Sequence, residues 1–246
     1  MNMDVETINK IEQLVRDGLT VEVDGQHYTA AELEPVLYNP KPETLTVHNL
    51  RGFCGFIAND IDALITGRPH LIVVNDPESV DLISAVDDVE NKRTALVSAR
   101  IGAGLKKFPF GKFLDQEEFA IAFRSLFVAD RKDDFEYVLS YSQKLVANTS
   151  VEGEDDGIAQ KVTVKRGTSG ALKDKETLKA IVRLTPYRTF REAKQPESEF
   201  LLRVRVDDGV PLIALFEADG GAWINEATTN VVEYIQSLVK GIPVIA

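Results

Sequence analysis

Three short apolar runs organise the stretch Glu176–Asp219: Leu178–Leu184, Phe200–Val206 and Leu212–Phe216. In the second, Leu202, Val204 and Val206 alternate with Leu201, Arg203 and Arg205, the period-two pattern of a half-buried strand. Asp207-Asp208-Gly209 then supplies a tight reversal, because Gly accepts positive φ and Asp tolerates it. Leu212–Phe216 is the hairpin partner; being apolar on both faces, it is expected in the middle of a sheet. Leu178–Leu184 is a third strand, joined to the hairpin through a Pro186–Pro196 connection. Past Asp219-Gly220-Gly221 the period changes. Ile224, Ala227, Val231, Ile235 and Leu238 predict an amphipathic helix over Trp223–Lys240, expected to lie on this sheet. Gly241 and Pro243 end it, and Ile242–Ala246 is a short last strand.

Upstream, Val5, Ile8, Ile11, Leu14 and Val15 fall near one side of a helix over Asp4–Asp17. Thr20–Thr29 reads as a small hairpin about Asp24-Gly25, Ala30–Pro35 as at most two helical turns, and Asn39-Pro40-Lys41-Pro42 as a connector. Thr44–Val47 is a strand. Asn49 caps a helix whose stripe is Leu50, Phe53, Ile57, Ile61 and Leu64, ended by Gly67 and Pro69. Strands follow at Leu71–Val74, Val80–Val86 and Thr94–Ile101. Asp115 and Glu118 form a capping-box pattern before Phe119–Leu126, and a second helix spans Asp133–Ala147, the two forming an antiparallel pair. Asn148–Gly157 is an acidic loop, Ile158–Lys165 a strand and Arg166–Lys175 a long loop. The sum is an α+β fold: mixed, largely antiparallel sheet or sheets with packed amphipathic helices, including a helical hairpin and a C-terminal helix. Two domains are expected, 1–42 as an N-terminal helix-hairpin arm or small module and 43–246 as the main domain.

Composition narrows the setting. The chain has 246 residues, 44 % of them hydrophobic, enough for a sizeable core. No run approaches the roughly 18 apolar residues of a membrane span, and the charged start Met1–Arg16 has no secretory apolar stretch. A single cysteine, Cys54, excludes an internal disulfide, so a reducing cytoplasm is the expected location. The net charge of −11 is uneven: Met1–Glu90 holds 17 acidic and 5 basic residues, net −12, and the remainder 22 and 23, net +1. Between Asn91 and Lys112 lie Lys92, Arg93, Arg100, Lys106, Lys107 and Lys112 and no acid. Such halves can attract each other within a chain or between copies.

Candidate chemistry is sparse. Phe108, Phe110 and Phe113 interleave with Lys106, Lys107 and Lys112, the ingredients of a single-stranded DNA surface, with cations for phosphates and rings for bases. The plainer reading is that the rings anchor the loop to the core. Gly102-x-Gly104 with Lys106-Lys107 could cradle a phosphate, but a third glycine and the Lys-Ser/Thr ending of a P-loop are missing. His27, His48 and His70 lie outside metal-ligand spacing of one another and of Cys54, so no metal and no cofactor are expected. Asp87-Asp88 with Glu90, and Glu152–Asp156, read as solvated acid runs. Cys54, between two phenylalanines, reads as a core residue. No Ser-His-Asp or G-x-S-x-G pattern supports catalysis.

Four stretches in order carry a resemblance: Asn91-x-Arg93-Thr94-Ala95-Leu96, Phe113-Leu114-x-Gln116-x-x-Phe119-Ala120, Leu184-x-Pro186-Tyr187-x-x-Phe190, and Phe200-Leu201-x-Arg203-x-Arg205. From about Thr44 to Phe216 the chain resembles the YfdQ-like family of phage and prophage proteins, whose function is unknown. The resemblance implies a tailed-phage or prophage origin, often among early genes with recombination or nucleotide-metabolism neighbours, and transfers no catalytic residue. The expected function is therefore a non-enzymatic protein acting by homo-oligomeric assembly or partner binding. The alternatives are an accessory of phage recombination or replication that binds single-stranded DNA, and a nucleotide-binding or sequestering protein. The expected partners are a second copy of the chain, single-stranded DNA or a phage recombination or replication protein, with no membrane.

Overall fold

The computed structural model describes residues 5–23, 26–29, 42–87, 91–102, 104–129, 134–145, 161–163 and 175–246. The chain divides into two compact units, Met1–Pro42 and Glu43–Ala246. The first contains α1 (Val5–Leu19) and the antiparallel pair β1 (Thr20–Val23) and β2 (Gln26–Thr29), in register from Thr20 opposite Thr29 to Val23 opposite Gln26. The second runs β3 (Leu45–Val47), α2 (Leu50–Asn59), β4 (His70–Asp76), β5 (Ser79–Ser84), β6 (Ala95–Arg100), α3 (Gln116–Leu126), α4 (Phe135–Lys144), β7 (Lys161–Thr163), β8 (Lys175–Thr177), β9 (Ile181–Leu184), β10 (Ser198–Asp207), β11 (Val210–Glu217), α5 (Trp223–Leu238) and β12 (Val244–Ile245). Separate helices on mixed and antiparallel sheets make it an α+β fold.

Two hydrophobic cores organise the second unit. One lies under a five-stranded mixed sheet ordered β12-β4-β5-β6-β3, in which β12 runs parallel to β4 and β3 parallel to β6. Alternation along β4 and β5 buries Ile72, Val74, Val80 and Leu82, and these meet Leu50, Phe53 and Ile57 of α2 and Val231 and Ile235 of α5. The Asn49 side chain caps α2 by accepting from the Gly52 N–H at 2.6 Å. The stripe predicted through Ile61 and Leu64 stops early. Asp60 turns left-handed (φ 39°) and its carboxylate accepts the N–H groups of Ile65 (2.9 Å) and Thr66 (2.7 Å), an alternative to another helical turn. Thr66 first, then its own and neighbouring backbone N–H groups, hold the Asp60 carboxyl down to about 2. Ile61 is left 85 % exposed.

The other core lies on an antiparallel three-stranded sheet, β11-β10-β9. The β10–β11 hairpin closes through Asp208 (φ 46°) and Gly209 (φ 79°), the two consecutive positive-φ positions of a type I′ turn. Phe119 and Phe123 of α3 and Phe135 of α4 stack above it, with ring centroids 5.6 Å and 4.9 Å apart. Gln116 at the start of α3 donates to the Gln143 carbonyl at the end of α4, while Phe123 meets Phe135 at the opposite ends, so the two helices run antiparallel as predicted.

Two expectations are corrected. Leu212–Phe216 belongs to β11, an edge strand, and not to the middle of the sheet. Its apolar character fits because Gly111–Leu114 covers the open edge: the Gly111 and Leu114 N–H groups donate to Leu215 and Ile213, and Ile213 donates back to Leu114. On the β9 edge Asp134 engages Arg183, its N–H donating to the Arg183 carbonyl and its carboxylate accepting the Arg183 N–H. Just beyond β9, Leu126–Val128 runs beside Thr185–Tyr187, with Tyr187 donating to Leu126 and Val128 to Thr185. The C-terminal helix does not lie on this sheet. Its buried Ala227, Val231 and Ile235 face the five-stranded sheet, because β12, just beyond it, pairs with β4 and draws α5 across. The ends of its predicted stripe, Ile224 and Leu238, stay about half exposed. The predicted strand Ile158–Lys165 is described only at β7, which pairs antiparallel with β8. Ala30–Pro35, most of the Asn39–Pro42 connector, and the acidic loop Asn148–Gly157 lie outside the described residues, as does most of Arg166–Lys175.

Candidate functional site

The basic segment leaves β6 and crosses to the edge of β11. Its cations divide into two sets. Arg100 is engaged: it grips Asp81 with Nη2 at 2.7 and 2.9 Å and donates Nη1 to the Val80 and Ala99 carbonyls. Lys107 pairs with Glu78. Arg93 donates to the Ser84 carbonyl at 3.1 Å, though its residue stays exposed, as do Lys92, Lys106 and Lys112. The three rings, offered above either to bases or to the core, face the protein. Phe108 is 5 % exposed and edge-on to Phe119 and Phe127. Phe110 stacks on Phe200 at 5.0 Å, and Phe113 meets Phe216 and carries the Arg205 guanidinium at 4.3 Å. Covering the β11 edge pulls these side chains onto the core, and the surface retains cations without free rings.

The centre of the second unit was hidden in the Pro186–Pro196 connection. Gln195, buried, accepts the N–H groups of Arg188 and Thr189 at 2.9 and 3.2 Å and donates to the carbonyls of Phe190 and Ala193, which curls the segment. Thr189 donates its hydroxyl to the Pro77 carbonyl in the β4–β5 turn. Asn230 of α5 donates to the Lys194 carbonyl. These bonds clamp the connection between the two layers and drive the Arg188 side chain inward, leaving it 5 % exposed. Its guanidinium carbon lies 4.8 Å from the Phe110 ring centroid, 5.0 Å from that of Phe200 and 4.6 Å from that of Trp223. A delocalised, weakly hydrated cation suits such an aromatic cage.

The electrostatics around Arg188 are finely matched. Nη2 is 2.7 Å from Glu217 Oε1, and Nη1 donates to Ser198 Oγ at 3.2 Å. Burial pulls the guanidinium pKa below its ordinary value, and the charges of Glu217 and Asp219 oppose that. Burial alone would raise Asp219, but hydrogen bonds from Ser198 and the Gly221 N–H, with the charge of Arg188, outweigh it and keep the carboxyl low. Among the described residues, Arg188 Nε and Asp219 Oδ2 are buried without a hydrogen-bond partner. No sequence pattern distinguishes Arg188 from the chain's exposed arginines; only its place between two prolines and beside Phe190 marked the segment.

Beside this cage lie two concavities. A cleft of about 510 Å³ is lined by Asp76, Glu78, Ser79, Arg100 and Ile101 and by Trp223 and Ile224 of α5. A small recess of about 20 Å³ shares Glu78 and Ile101 with it and is lined further by Lys106, Lys107, Arg188 and Arg191. The Arg191 guanidinium rests 3.4 Å from the Tyr187 ring centroid. Of the Gly102–Lys107 stretch read as a phosphate cradle, Leu105, Lys106 and Lys107 line this recess and the two glycines do not; Ala103 lies outside the described residues.

The other sequence candidates stand apart. His70 is buried with Nδ1 2.9 Å from the Arg68 carbonyl, and His48 Nδ1 lies 3.0 Å from that of Arg100. The His27 side chain, Asp88, Glu90 and Glu152–Asp156 lie outside the described residues. Among the described residues no group of three or more His, Cys, Asp or Glu side chains is gathered to hold a metal, and no helix is long and apolar enough to cross a membrane. Cys54 is buried in α2. In the first unit, the apolar side of α1 is exposed: Val5 73 %, Ile8 49 %, Ile11 47 %, Leu14 65 % and Val15 57 %. Compared with protein-family models, curated proteins and solved structures, the chain matches none.

Proposed function

We propose that this is a phage- or prophage-encoded protein that works by self-association, with α1 as the pairing element. The observation that carries the reading is the exposed apolar side of α1. Five aliphatic side chains, each 47 % exposed or more, lie along one side of a 15-residue helix. Fully burying one such side chain stabilises by about 1.5 kcal/mol or more, and helices of this length are marginal in water without a packed face. A second copy is the fitting occupant. The charges of α1 nearly cancel, with Glu6, Glu12 and Asp17 against Lys10 and Arg16, so the helix selects neither a strongly charged partner nor an anionic lipid surface, which calls for a Lys/Arg-rich polar face. The same stripe on two copies is self-complementary about a two-fold axis.

The reading rests on α1 and not on the edges of the three-stranded sheet. Both edges of the three-stranded sheet are already hydrogen-bonded by the chain itself. Of the positions that carry the resemblance to YfdQ-like proteins, Leu184, Phe190 and Phe200 are fully or almost fully buried, and they add no chemistry to the reading.

The test is sedimentation equilibrium on the full chain and on the double variant Ile8→Glu/Ile11→Glu. The wild type is expected above the 27.2 kDa of one chain and the variant at that mass. Because each copy carries a net charge of −11, added salt should strengthen an apolar contact by screening repulsion. A monomeric wild type at high concentration, or a variant that assembles like the wild type, rules the reading out.

A further inference from the structure

We propose that the recess between Leu105–Lys107 and Tyr187–Arg191 binds the phosphoryl group of a small phosphorylated molecule, with the adjoining cleft taking the remainder of that molecule. The recess brings together four cations from two distant parts of the chain, Lys106, Lys107, Arg188 and Arg191, with one acid, Glu78, which Lys107 already neutralises. Arg188 lines it and brings a fixed, buried positive charge, its side chain 5 % exposed. Hydrogen bonds between cationic donors and an anion's oxygens are roughly twice as strong as neutral ones, so such a recess favours an anion over a neutral group. Glu217 and Asp219 balance Arg188 from the other side, so the attraction for an incoming anion comes chiefly from Lys106 and Arg191, both exposed at the mouth.

Size assigns the parts. About 20 Å³ admits one oxygen-sized group, so one phosphoryl oxygen enters the recess while the others face Lys106 and Arg191 at the surface. The neighbouring cleft of about 510 Å³ has the volume of an ordinary small-molecule site, and it carries an indole wall, Trp223, and polar groups in Ser79 and Asp76. Glu78 and Ile101 belong to both, so a ligand anchored in the recess has a continuous path into the cleft.

The experiment is isothermal titration of the full chain at low salt with inorganic phosphate, with AMP and with adenosine. Saturable binding of phosphate or AMP is expected, and none of adenosine. Tighter binding of AMP than of phosphate assigns the cleft to the organic part; binding of phosphate alone assigns the recess to the free anion. The double variant Lys106→Gln/Arg191→Gln should weaken binding at least about tenfold with an unchanged circular dichroism spectrum. Arg188 is left intact in this test because it also holds the two layers together. A control, Lys92→Gln/Lys112→Gln, removes the same charge elsewhere and should bind like the wild type. Ile8→Glu/Ile11→Glu should bind like the wild type too, which separates this site from the assembly reading. Failure of both phosphate and AMP to bind, or equal loss in the control variant, overturns the proposal.

Discussion

Replacing Arg188 with alanine and with methionine separates what its charge does from what its bulk does. The guanidinium sits among Phe110, Phe200 and Trp223, with centroid distances of 4.6 to 5.0 Å. Alanine removes the cation–π attraction, about 2 kcal/mol for a desolvated cation, and the Ser198 hydrogen bond, about 1 kcal/mol. It also empties a volume like that lost in a Met→Ala change, about 2–5 kcal/mol. Against these stands the relief of no longer burying a guanidinium, several kcal/mol. The net expectation for Arg188→Ala is a loss of about 3 kcal/mol. Methionine keeps most of the stem's packing and removes the same desolvation cost but leaves Glu217 and Asp219 without their cation, so Arg188→Met should fall between wild type and Arg188→Ala, about 1–2 kcal/mol below wild type. Urea unfolding followed by circular dichroism gives both numbers. Trp223 is the only tryptophan, so its emission reports on the cage directly, and both variants should shift it in the native state. A methionine variant as unstable as the alanine variant would refute the packing argument and place the stabilisation in the charge. Unchanged Trp223 emission in both would refute the cage itself.

Two further outcomes follow from titrating groups. Burial first, and the charge of Glu192 second, push the Cys54 thiol up to about 11, so native protein should react slowly with iodoacetamide at neutral pH and quickly only in denaturant; fast native alkylation would contradict the burial. Burial pulls Asp81 upward, but hydrogen bonds from Ser98, Asn75 and Arg100 together outweigh it and hold its carboxyl below the ordinary value. Its contribution is therefore complete above an unfolded pKa of about 3.9 and is lost as pH falls through the lower folded value. Asp81→Asn should lose less thermal stability than wild type over that acid range, read as Tm against pH, and equal slopes would deny Asp81 the role.

How much was legible depends on the range of the forces involved. Asn49 as a cap, the Asp115 and Glu118 opening of α3, the two-residue turn at Asp208-Gly209 and the alternation through β10 are set by neighbours in sequence, and the structure carries each of them. The end of α2 was misjudged because Asp60 offers its carboxylate to Ile65 and Thr66, and that local competition outweighs an apolar stripe extending to Leu64. For the rings of the basic segment, anchoring to the core was the plainer of two readings, and the residues alone did not decide between them. Their direction depends on the segment pairing with β11, a contact with Ile213 and Leu215 about a hundred residues away.

The sequence alone determined the element types, the reversals, the charge asymmetry and the amphipathic side of α1, since period, capping chemistry and composition act within a few residues. Only the tertiary structure decided that α5 crosses to the five-stranded sheet, that Arg100 and Lys107 spend their charges on Asp81 and Glu78, and that Arg188 is caged while Lys106 and Arg191 stay open beside it. A charge has the same letter whether it is solvated, paired or enclosed. Which of these it becomes depends on groups brought up from distant parts of the chain, and their desolvation and pairing energies exist only once the layers have packed.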